Sequence, residues 1–169
     1  GGRLLVRRVV RQLDCLEFLV ADALASGVRV SLEHARQPAR VVRAVLRALT
    51  PRIEAHGFVA PGNLGLCYDP CNLVNSALER EEPVTITASL RADEILMFHL
   101  KQSERSHPLP VLTEGDVDWP AVLTSLRRLE YRGPWCFEIA PHPEVWTNLE
   151  LSRDYLTALG GCRSCPQRW

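Results

Sequence analysis

The sequence lacks the features that mark membrane proteins and polyanion-binding proteins. No run approaches the roughly 18 consecutive apolar residues of a membrane span, and the opening Gly1-Gly2-Arg3 segment lacks the layout of a signal peptide. Twenty basic and twenty acidic side chains balance, so no basic field would concentrate nucleic acid or anionic lipid. These absences favour a small-molecule partner, with neither nucleic acid nor membrane, and a cytoplasmic location.

Cysteine is too scarce for a disulfide scaffold, because only six occur in 169 residues. Cys15, Cys67 and Cys136 fall within apolar helix or strand patterns, which predicts reduced thiols in the core. Cys162 and Cys165 form a C-x-x-C pair near the end of the chain. No second pair accompanies it to complete a zinc ribbon, so it is interpreted as an incidental feature of the tail.

Low-complexity sequence is also absent, and 46% of the residues are hydrophobic. A chain of this length and composition can bury a substantial core within one domain. We therefore expect one domain over residues 1–160 and a polar, cysteine-containing tail over residues 161–169.

A recurring pattern dominates the rest of the chain: a short apolar strand ends in a side chain that can bind a metal. Such strands are predicted at residues 28–32, 64–68, 95–98 and 135–137, and the side chains that follow them are Glu33, Asp69, His99 and Glu138. These four strand-tip residues follow one another at intervals of 36, 30 and 39 residues, about the length of one helical crossover plus one strand. A parallel βα repeat brings the carboxyl ends of its strands to one edge, where such folds place their sites.

Helical periodicity fills the intervals between these strands. The order of elements is α followed by βα four times, which predicts a parallel sheet with right-handed crossovers. A loop from Gln102 to Gly115 is long enough to close over a ligand. Helices are predicted over residues 4–24, through Val42–Leu49 with Pro51 kinking or ending the helix, from Asn72 to Leu78, around 86–92, after the cap Asp118, and over about 149–159.

With these residues in order, the chain resembles the xylose isomerase-like barrel superfamily. That group contains sugar and sugar-phosphate isomerases and epimerases, inosose dehydratase and, more distantly, endonuclease IV. The resemblance covers roughly residues 5 to 160 and implies the C-terminal part of a (β/α)8 TIM barrel, with about four parallel strands and five or more helices. The matching segments are Gly27-Val28-x-x-x-Leu32-Glu33, Leu66-x-Tyr68-Asp69-Pro70-x-Asn72-Leu73, Phe98-His99-Leu100-Lys101, Gly115-Asp116-Val117-Asp118-Trp119, Tyr131-Arg132-Gly133 and Glu138.

The resemblance also implies a metal site and its chemistry. It assigns one divalent ion to the four strand-tip residues Glu33, Asp69, His99 and Glu138. Three carboxylates and one imidazole suit Mn²⁺ or Mg²⁺, with Co²⁺ or Zn²⁺ as alternatives. In epimerases of the family, two glutamates move protons on opposite faces of the carbon next to a carbonyl, through an enediolate. That role would fall to Glu33 and Glu138.

Three further residues are predicted to bind substrate. Lys101 is the one lysine beside nineteen arginines, and it shares a strand face with His99, so its ammonium could contact a substrate oxygen. A solvated lysine at the rim is the alternative interpretation. Arg105 lies six residues after His99, where some epimerases have a substrate-binding arginine. Asn72 stands where many members have a histidine, and Gln102 replaces a common aspartate, so the substrate class stays open.

The resemblance implies a divalent-metal-dependent isomerase or epimerase of a sugar or sugar phosphate. Two alternatives are a lyase similar to inosose dehydratase and a truncated, non-catalytic half-barrel. Closing such a barrel takes eight strands and about 250 residues, so four strands predict either a homo-oligomer or a missing N-terminal half. His34, His107 and His142 are further candidates at the rim of the site.

Overall fold

The fold is built on a parallel sheet, seen in a computed structural model that describes residues 2–35, 37–76 and 79–160. In chain order its strands are β1 (Val30–Glu33), β2 (Leu64–Tyr68), β3 (Ile95–Leu100), β4 (Ser103–Glu104), β5 (His107–Pro108) and β6 (Trp135–Phe137). Four of them form one sheet in the order β1-β2-β3-β6, and every neighbouring pair is parallel. The short strands β4 and β5 form a separate antiparallel hairpin.

Helices alternate with these strands, as the sequence predicted. Over the described residues the chain forms six α-helices and one 3₁₀ turn, and no helix there is both long and apolar enough to cross a membrane. The α/β architecture of a partial TIM barrel is therefore confirmed. The helices are α1 (Gly2–Ala25), α2 (Ala39–Ala55), α3 (Pro70–Val74), α4 (Pro83–Ser89), α5 (Trp119–Arg128) and α6 (Val145–Ala158), and the 3₁₀ turn spans Ala92–Glu94.

One predicted boundary near the start of the chain was wrong, and one alternative was decided. The first strand begins at Val30 rather than Val28, because the Val28 N–H donates to the carbonyl of Ala23 and so closes the end of α1. Pro51 was predicted to kink or end helix α2, and it does not end it: the helix continues to Ala55. A proline inside a helix costs about 3 kcal/mol, but Ile53 beyond it is fully buried in the core, and this packing holds the last turn in place.

Three boundaries later in the chain also differ. The helix predicted from Asn72 to Leu78 ends at Val74, and residues 77–78 lie outside the described residues. The helix predicted around 86–92 begins earlier, at Pro83, because the Glu82 carboxylate accepts the first free backbone N–H groups. The last helix begins at Val145 rather than about 149.

The helices pack on one face of the sheet. Strand side chains that point towards them form the core, with Phe98 at its centre. Ring centroids of four aromatic neighbours lie 5.1 to 6.2 Å from that of Phe98, mostly tilted or edge-on as aromatic pairs prefer. These neighbours are Tyr68, Trp119, Tyr131 and Trp135. A second cluster packs α1 and α2 against β1 and β2.

The opposite face of the sheet is less covered. The alternate strand side chains Ser31, Glu33 and Cys136 are exposed, and Met97 is only half-buried. This face therefore carries the strand-tip carboxylates while the helix-packed face carries the core. The prediction for the cysteines was partly wrong: Cys67 is buried, but Cys15 and Cys136 are exposed. The cysteine tail lies outside the described residues.

Candidate metal centre

The structure brings the four strand-tip residues together. Glu33, Asp69, His99 and Glu138 each offer one ligand atom, and these atoms all lie within 4.8 Å of one another. Oxygen ligands on opposite sides of a hard ion lie about 4.2 Å apart, because each metal–oxygen bond is about 2.1 Å long. The cluster therefore has the dimensions of a site for one ion.

An irregular register between β2 and β3 aligns two of these residues. Leu66 pairs with Ile95, but the next residue, Cys67, pairs with Met97, so one residue of β3 is skipped. Tyr68 then pairs with Phe98, and this alignment continued by one step sets Asp69 beside His99. A regular register would have set Asp69 beside Phe98, whose ring belongs to the core. Such irregularities commonly re-aim side chains next to sites.

Asp69 is held in place by three hydrogen bonds. Its Oδ1 accepts the N–H groups of Cys71 at 2.8 Å and Asn72 at 3.2 Å, so it caps α3. Its own N–H donates to Nε2 of His34 at 3.1 Å. The side chain of Asp69 is 0% exposed, and Oδ2 is left directed at the cluster. The carboxylate therefore needs no rearrangement to bind a cation.

His34 accepts the backbone N–H of Asp69 from within the core and does not line the rim. Its prediction as a rim residue was therefore wrong. It is fully buried, and its ring lies 5.4 Å from that of Tyr68. Burial, together with the charges of Lys101 and His99, lowers the pKa of His34 to about 4. A neutral ring that accepts at Nε2 carries its proton on Nδ1. His107 and His142 are exposed, as a rim position requires.

Lys101 supplies a positive charge inside the cluster. Its Nζ lies 2.8 Å from Oδ2 of Asp69, 2.9 Å from Oε2 of Glu138 and 3.1 Å from Oδ1 of Asn72. The amide of Asn72 also donates to Oε1 of Glu33 at 2.8 Å. The ammonium and the amide therefore bridge three of the four strand tips.

The charges of this group perturb one another. Burial raises the pKa of Asp69 to about 6, and the Lys101 ammonium opposes that rise. Burial alone would lower the pKa of Lys101, but Asp69 and Glu138 outweigh it and hold the pKa above its ordinary value. Burial alone would raise the pKa of Glu138, but Lys101 outweighs it and holds that pKa low. The cluster is thus an acidic site that a cation stabilises.

The ring of His99 lies between the two glutamates. Its Nδ1 is 3.1 Å from Oε2 of Glu138 and 3.6 Å from Oε1 of Glu33. Its Nε2 is 3.2 Å from Sγ of Cys67. Sequence reasoning missed this last contact. Strand alternation places Cys67 on the face of Asp69, but only the register between β2 and β3 shows that it meets His99.

Arg105 does not join the cluster. It lies with Ser106 at the tip of the β4–β5 hairpin, where both residues have positive φ angles of 51° and 67°. Their N–H groups donate to the Asp116 carboxylate at 3.0 and 2.9 Å. Arg105 also borders a cavity of about 540 Å³, which Arg80 lines as well. Its role in substrate binding stays a prediction.

The donor set fits a divalent ion. Three carboxylates and an imidazole are ligands for a hard or borderline cation, and in the described part of the chain Lys101 is the cation in contact with this set. The side chains of Glu33 and Glu138 are 33% and 47% exposed, so an ion held here could also meet a small molecule. The assignment of these four residues as ligands stays a prediction.

The family model for the xylose isomerase-like TIM barrel matches residues 7–158. The chain belongs to this family. No curated protein matches the chain.

Solved structures show the same fold at low identity. A xylose isomerase domain protein from Planctomyces limnophilus is 23% identical, with a TM-score of 0.70, over 89% of this chain and 53% of its own. The IOLI protein, whose structure holds a zinc atom, is 14% identical with a TM-score of 0.66, over 90% and 56%. D-allulose 3-epimerase from Methylomonas sp. is 17% identical with a TM-score of 0.62, over 87% and 54%. This chain spans about half the length of each of these structures.

Proposed function

We propose that this chain carries the metal-binding and proton-transfer residues of a divalent-metal-dependent isomerase or epimerase that acts on a sugar or sugar phosphate. The observation that carries the proposal is the convergence of four strand-tip side chains within 4.8 Å. Membership of the family supports it, and so do the similar structures that are named as sugar epimerases.

The proposed ion is Mn²⁺ or Mg²⁺, with Co²⁺ or Zn²⁺ as alternatives. Three oxygen ligands and one nitrogen favour the harder ions, whereas the IOLI structure holds zinc. Oδ2 of Asp69, Nδ1 of His99 and the oxygens of both glutamates would hold it. A bound divalent ion would polarise a substrate carbonyl and so make the neighbouring C–H bond more acidic.

Glu33 and Glu138 are the proposed acid and base. They come from β1 and β6, the two outermost strands of the sheet, so a carbon between them would meet one carboxylate on each side. Both side chains are partly exposed, whereas Asp69 is fully buried. One glutamate would remove the proton next to the carbonyl, and the other would return a proton to the opposite face.

Asn72 and Lys101 are the proposed substrate-binding groups at the same edge. The Lys101 ammonium can donate to a substrate hydroxyl or carbonyl oxygen, and the Asn72 amide can both donate and accept. Arg105 is proposed only on its offset from His99, because its described contacts lie in the β4–β5 hairpin.

A metal-binding titration tests the first part of the proposal. The protein is stripped with a chelator and titrated with each of the four ions, and we expect one ion to bind per chain. Asp69→Asn should weaken binding by more than about 100-fold, because it removes a charged ligand from the site. Asp116→Asn is the matched control, since its carboxylate lies outside the cluster. Stoichiometric, unchanged binding in Asp69→Asn would show that the site is misassigned.

Hydrogen exchange tests the chemistry. A panel of ketoses, their phosphates and inososes is incubated for a long period with a high concentration of the metal-loaded protein in D₂O, so that even the low turnover expected of a partial barrel can be detected. The products are analysed for deuterium and for loss of water. Proton transfer predicts deuterium at the carbon next to the carbonyl, and Glu138→Gln should abolish it. Isomerisation without exchange would instead indicate a hydride shift and exclude the two-base mechanism. Loss of water would identify a lyase.

A further inference from the structure

Cys67 is the group in the cluster to which the proposed chemistry gives no role. It lies on β2 two residues before Asp69, and the residue is 5% exposed. Its Sγ lies 3.2 Å from Nε2 of His99, while Nδ1 of the same ring lies 3.1 Å from Oε2 of Glu138. The two nitrogens of one imidazole therefore face two different groups, a thiol and a carboxylate.

The position of the ring proton decides which nitrogen can bind a metal. A neutral imidazole carries its proton on one nitrogen and a lone pair on the other. An ion held among the carboxylates needs the lone pair of Nδ1, so the proton has to be on Nε2. That N–H requires an acceptor, which metal-binding histidines usually find in a carboxylate, a carbonyl or water. Here the atom within reach is the sulfur of Cys67.

We propose that Cys67 is a positioning residue for His99: its sulfur accepts the hydrogen bond from Nε2–H and holds the ring with Nδ1 directed at the metal position. This inference rests on the metal site of the proposed function. A thiol can donate as well as accept, so without metal its S–H can donate to Nε2 while Nδ1–H donates to Glu138. With an ion at Nδ1, the ring proton would be lost from Nδ1 to solvent, Nε2 would take up a proton from solvent, and the S–H would turn away. The hydrogen bond would then run from Nε2–H to the sulfur, with the ring in the same orientation.

The neighbouring donors define a rival arrangement. Glu33, Cys67 and His99 also form a group whose ligand atoms lie within 4.8 Å of one another. In that arrangement the ion would bind Nε2, and the sulfur would be a ligand rather than a hydrogen-bond acceptor. The two arrangements differ in which nitrogen binds the ion, and spectroscopy can distinguish them.

Three variants test the role of the sulfur. Cys67→Ala removes the acceptor, Cys67→Ser replaces it with a hydroxyl, and Cys15→Ala is the control. Cys15 is a free cysteine on α1 and is exposed, so its removal tests the loss of a thiol outside the cluster. Metal affinity is measured by competition with a chelator. We expect Cys67→Ala to weaken binding about 10-fold, Cys67→Ser to recover most of that loss, and Cys15→Ala to match the wild type.

The imidazole ¹⁵N spectrum of the zinc-loaded wild type tests the geometry without any variant, and His99→Gln assigns the resonance. We expect metal-bound Nδ1 and protonated Nε2. Metal-bound Nε2, or a sulfur-to-metal charge-transfer band in the Co²⁺ form, would overturn the proposal in favour of thiolate coordination. Unchanged affinity in a folded Cys67→Ala variant would also overturn it, with the metal site itself intact. A wild type that binds none of the four ions would overturn the proposed function and this inference together.

Discussion

At the scale of single residues, the position of Lys101 has the largest consequence for metal binding. Its ammonium lies 2.8 Å from Asp69 and 2.9 Å from Glu138, two of the predicted ligands. A divalent ion at the centre of the cluster would have to share these oxygens with the lysine or displace it. Lys101 therefore stabilises the metal-free cluster and opposes the ion electrostatically.

Replacing Lys101 with methionine should separate these two effects. Without the ammonium, the buried Asp69 carboxylate loses its cation, so the metal-free protein should lose about 3 kcal/mol of unfolding free energy. Metal affinity should rise at least about 10-fold, because one like-charge repulsion of more than about 1.4 kcal/mol is removed. Thermal unfolding with and without metal checks both. Lys101→Arg keeps the charge and is the control. A variant as stable as the wild type with weaker metal binding would contradict this account.

Gln102, next to Lys101, explains one departure from the family pattern. It is fully buried, and its amide nitrogen donates to the carbonyls of Thr113 at 2.8 Å and Val117 at 3.0 Å. Its amide oxygen accepts the N–H groups of Ser103 and Val117. An aspartate could not make the two donations. The residue shapes the loop, and its identity therefore carries no direct information on the substrate.

Gln102→Glu should destabilise the protein without weakening metal binding. It removes the donor to the buried carbonyl of Val117, at about 1–3 kcal/mol, and the donor to the carbonyl of Thr113, and it places a carboxylate charge at a fully buried position. We expect a loss of about 3 kcal/mol or more in chemical denaturation. Glu114→Gln, an exposed change in the same loop, should alter stability by less than about 0.5 kcal/mol. A loss below 1 kcal/mol for Gln102→Glu would show that the four hydrogen bonds contribute little.

At the scale of elements, sequence periodicity was enough for the order of the strands but not for their register. The four strand tips and the parallel sheet follow from apolar runs, their spacing and the residues that end them. The skipped residue between β2 and β3 could not be predicted, because it depends on how two distant strands pack. Without it, neither the alignment of Asp69 with His99 nor the contact of Cys67 with His99 could be derived. The β4–β5 hairpin was likewise not predicted, because the segment from 102 to 115 was interpreted as a loop. The turn of the hairpin has positive φ angles at residues other than glycine, so no glycine indicated it.

The β4–β5 hairpin depends on the Asp116 carboxylate, which gives it a pH dependence. The pKa of Asp116 lies below its ordinary 3.8, and the hydrogen bond from the N–H of Ser106 is the largest cause. Burial opposes this lowering, whereas the hydrogen bonds from Ser103 and Arg105 lower the pKa further. A lowered pKa stabilises the folded state above the unfolded pKa, and this stability is lost as the pH falls through the lower, folded value. The hairpin should therefore be ordered at neutral pH and lose support below about pH 4.

Asp116→Asn tests this dependence. At pH 7 the variant should lose about 1 kcal/mol, because neutral acceptors replace charged ones at an exposed site. The difference from wild type should shrink as the pH falls below about 4, since the wild-type carboxylate becomes protonated there. Thermal unfolding across pH 3 to 7 measures the stability, and amide exchange at Arg105 and Ser106 localises it. A difference that stays constant across this range would show that the charge is not involved.

At the scale of the whole molecule, both edges of the four-stranded sheet lack a further strand among the described residues. β1 and β6 are its edge strands, and parallel sheets are normally covered on both faces. Large apolar side chains are exposed on the helices that precede β1 and follow β6: Phe18 is 70% exposed on α1, and Trp146 is 78% exposed on α6. The similar solved structures are about twice as long as this chain. The exposed edges therefore mark surfaces that further strands, from the same or another chain, would cover.

We expect residues 1–169 expressed alone to bind metal but to show little turnover, and to associate in solution. All four predicted ligands come from the sheet described here, whereas the substrate also needs walls opposite that sheet, which four parallel strands cannot provide. Mass in solution, thermal unfolding and turnover are measured together.

Phe18→Arg and Trp146→Arg should reduce association without lowering the melting temperature, because both side chains are already exposed. Val59→Arg is the control, since Val59 is 67% exposed but lies between α2 and β2 and so belongs to neither α1 nor α6. A cooperative, monomeric and fully active protein would show that these four strands form a complete catalytic unit.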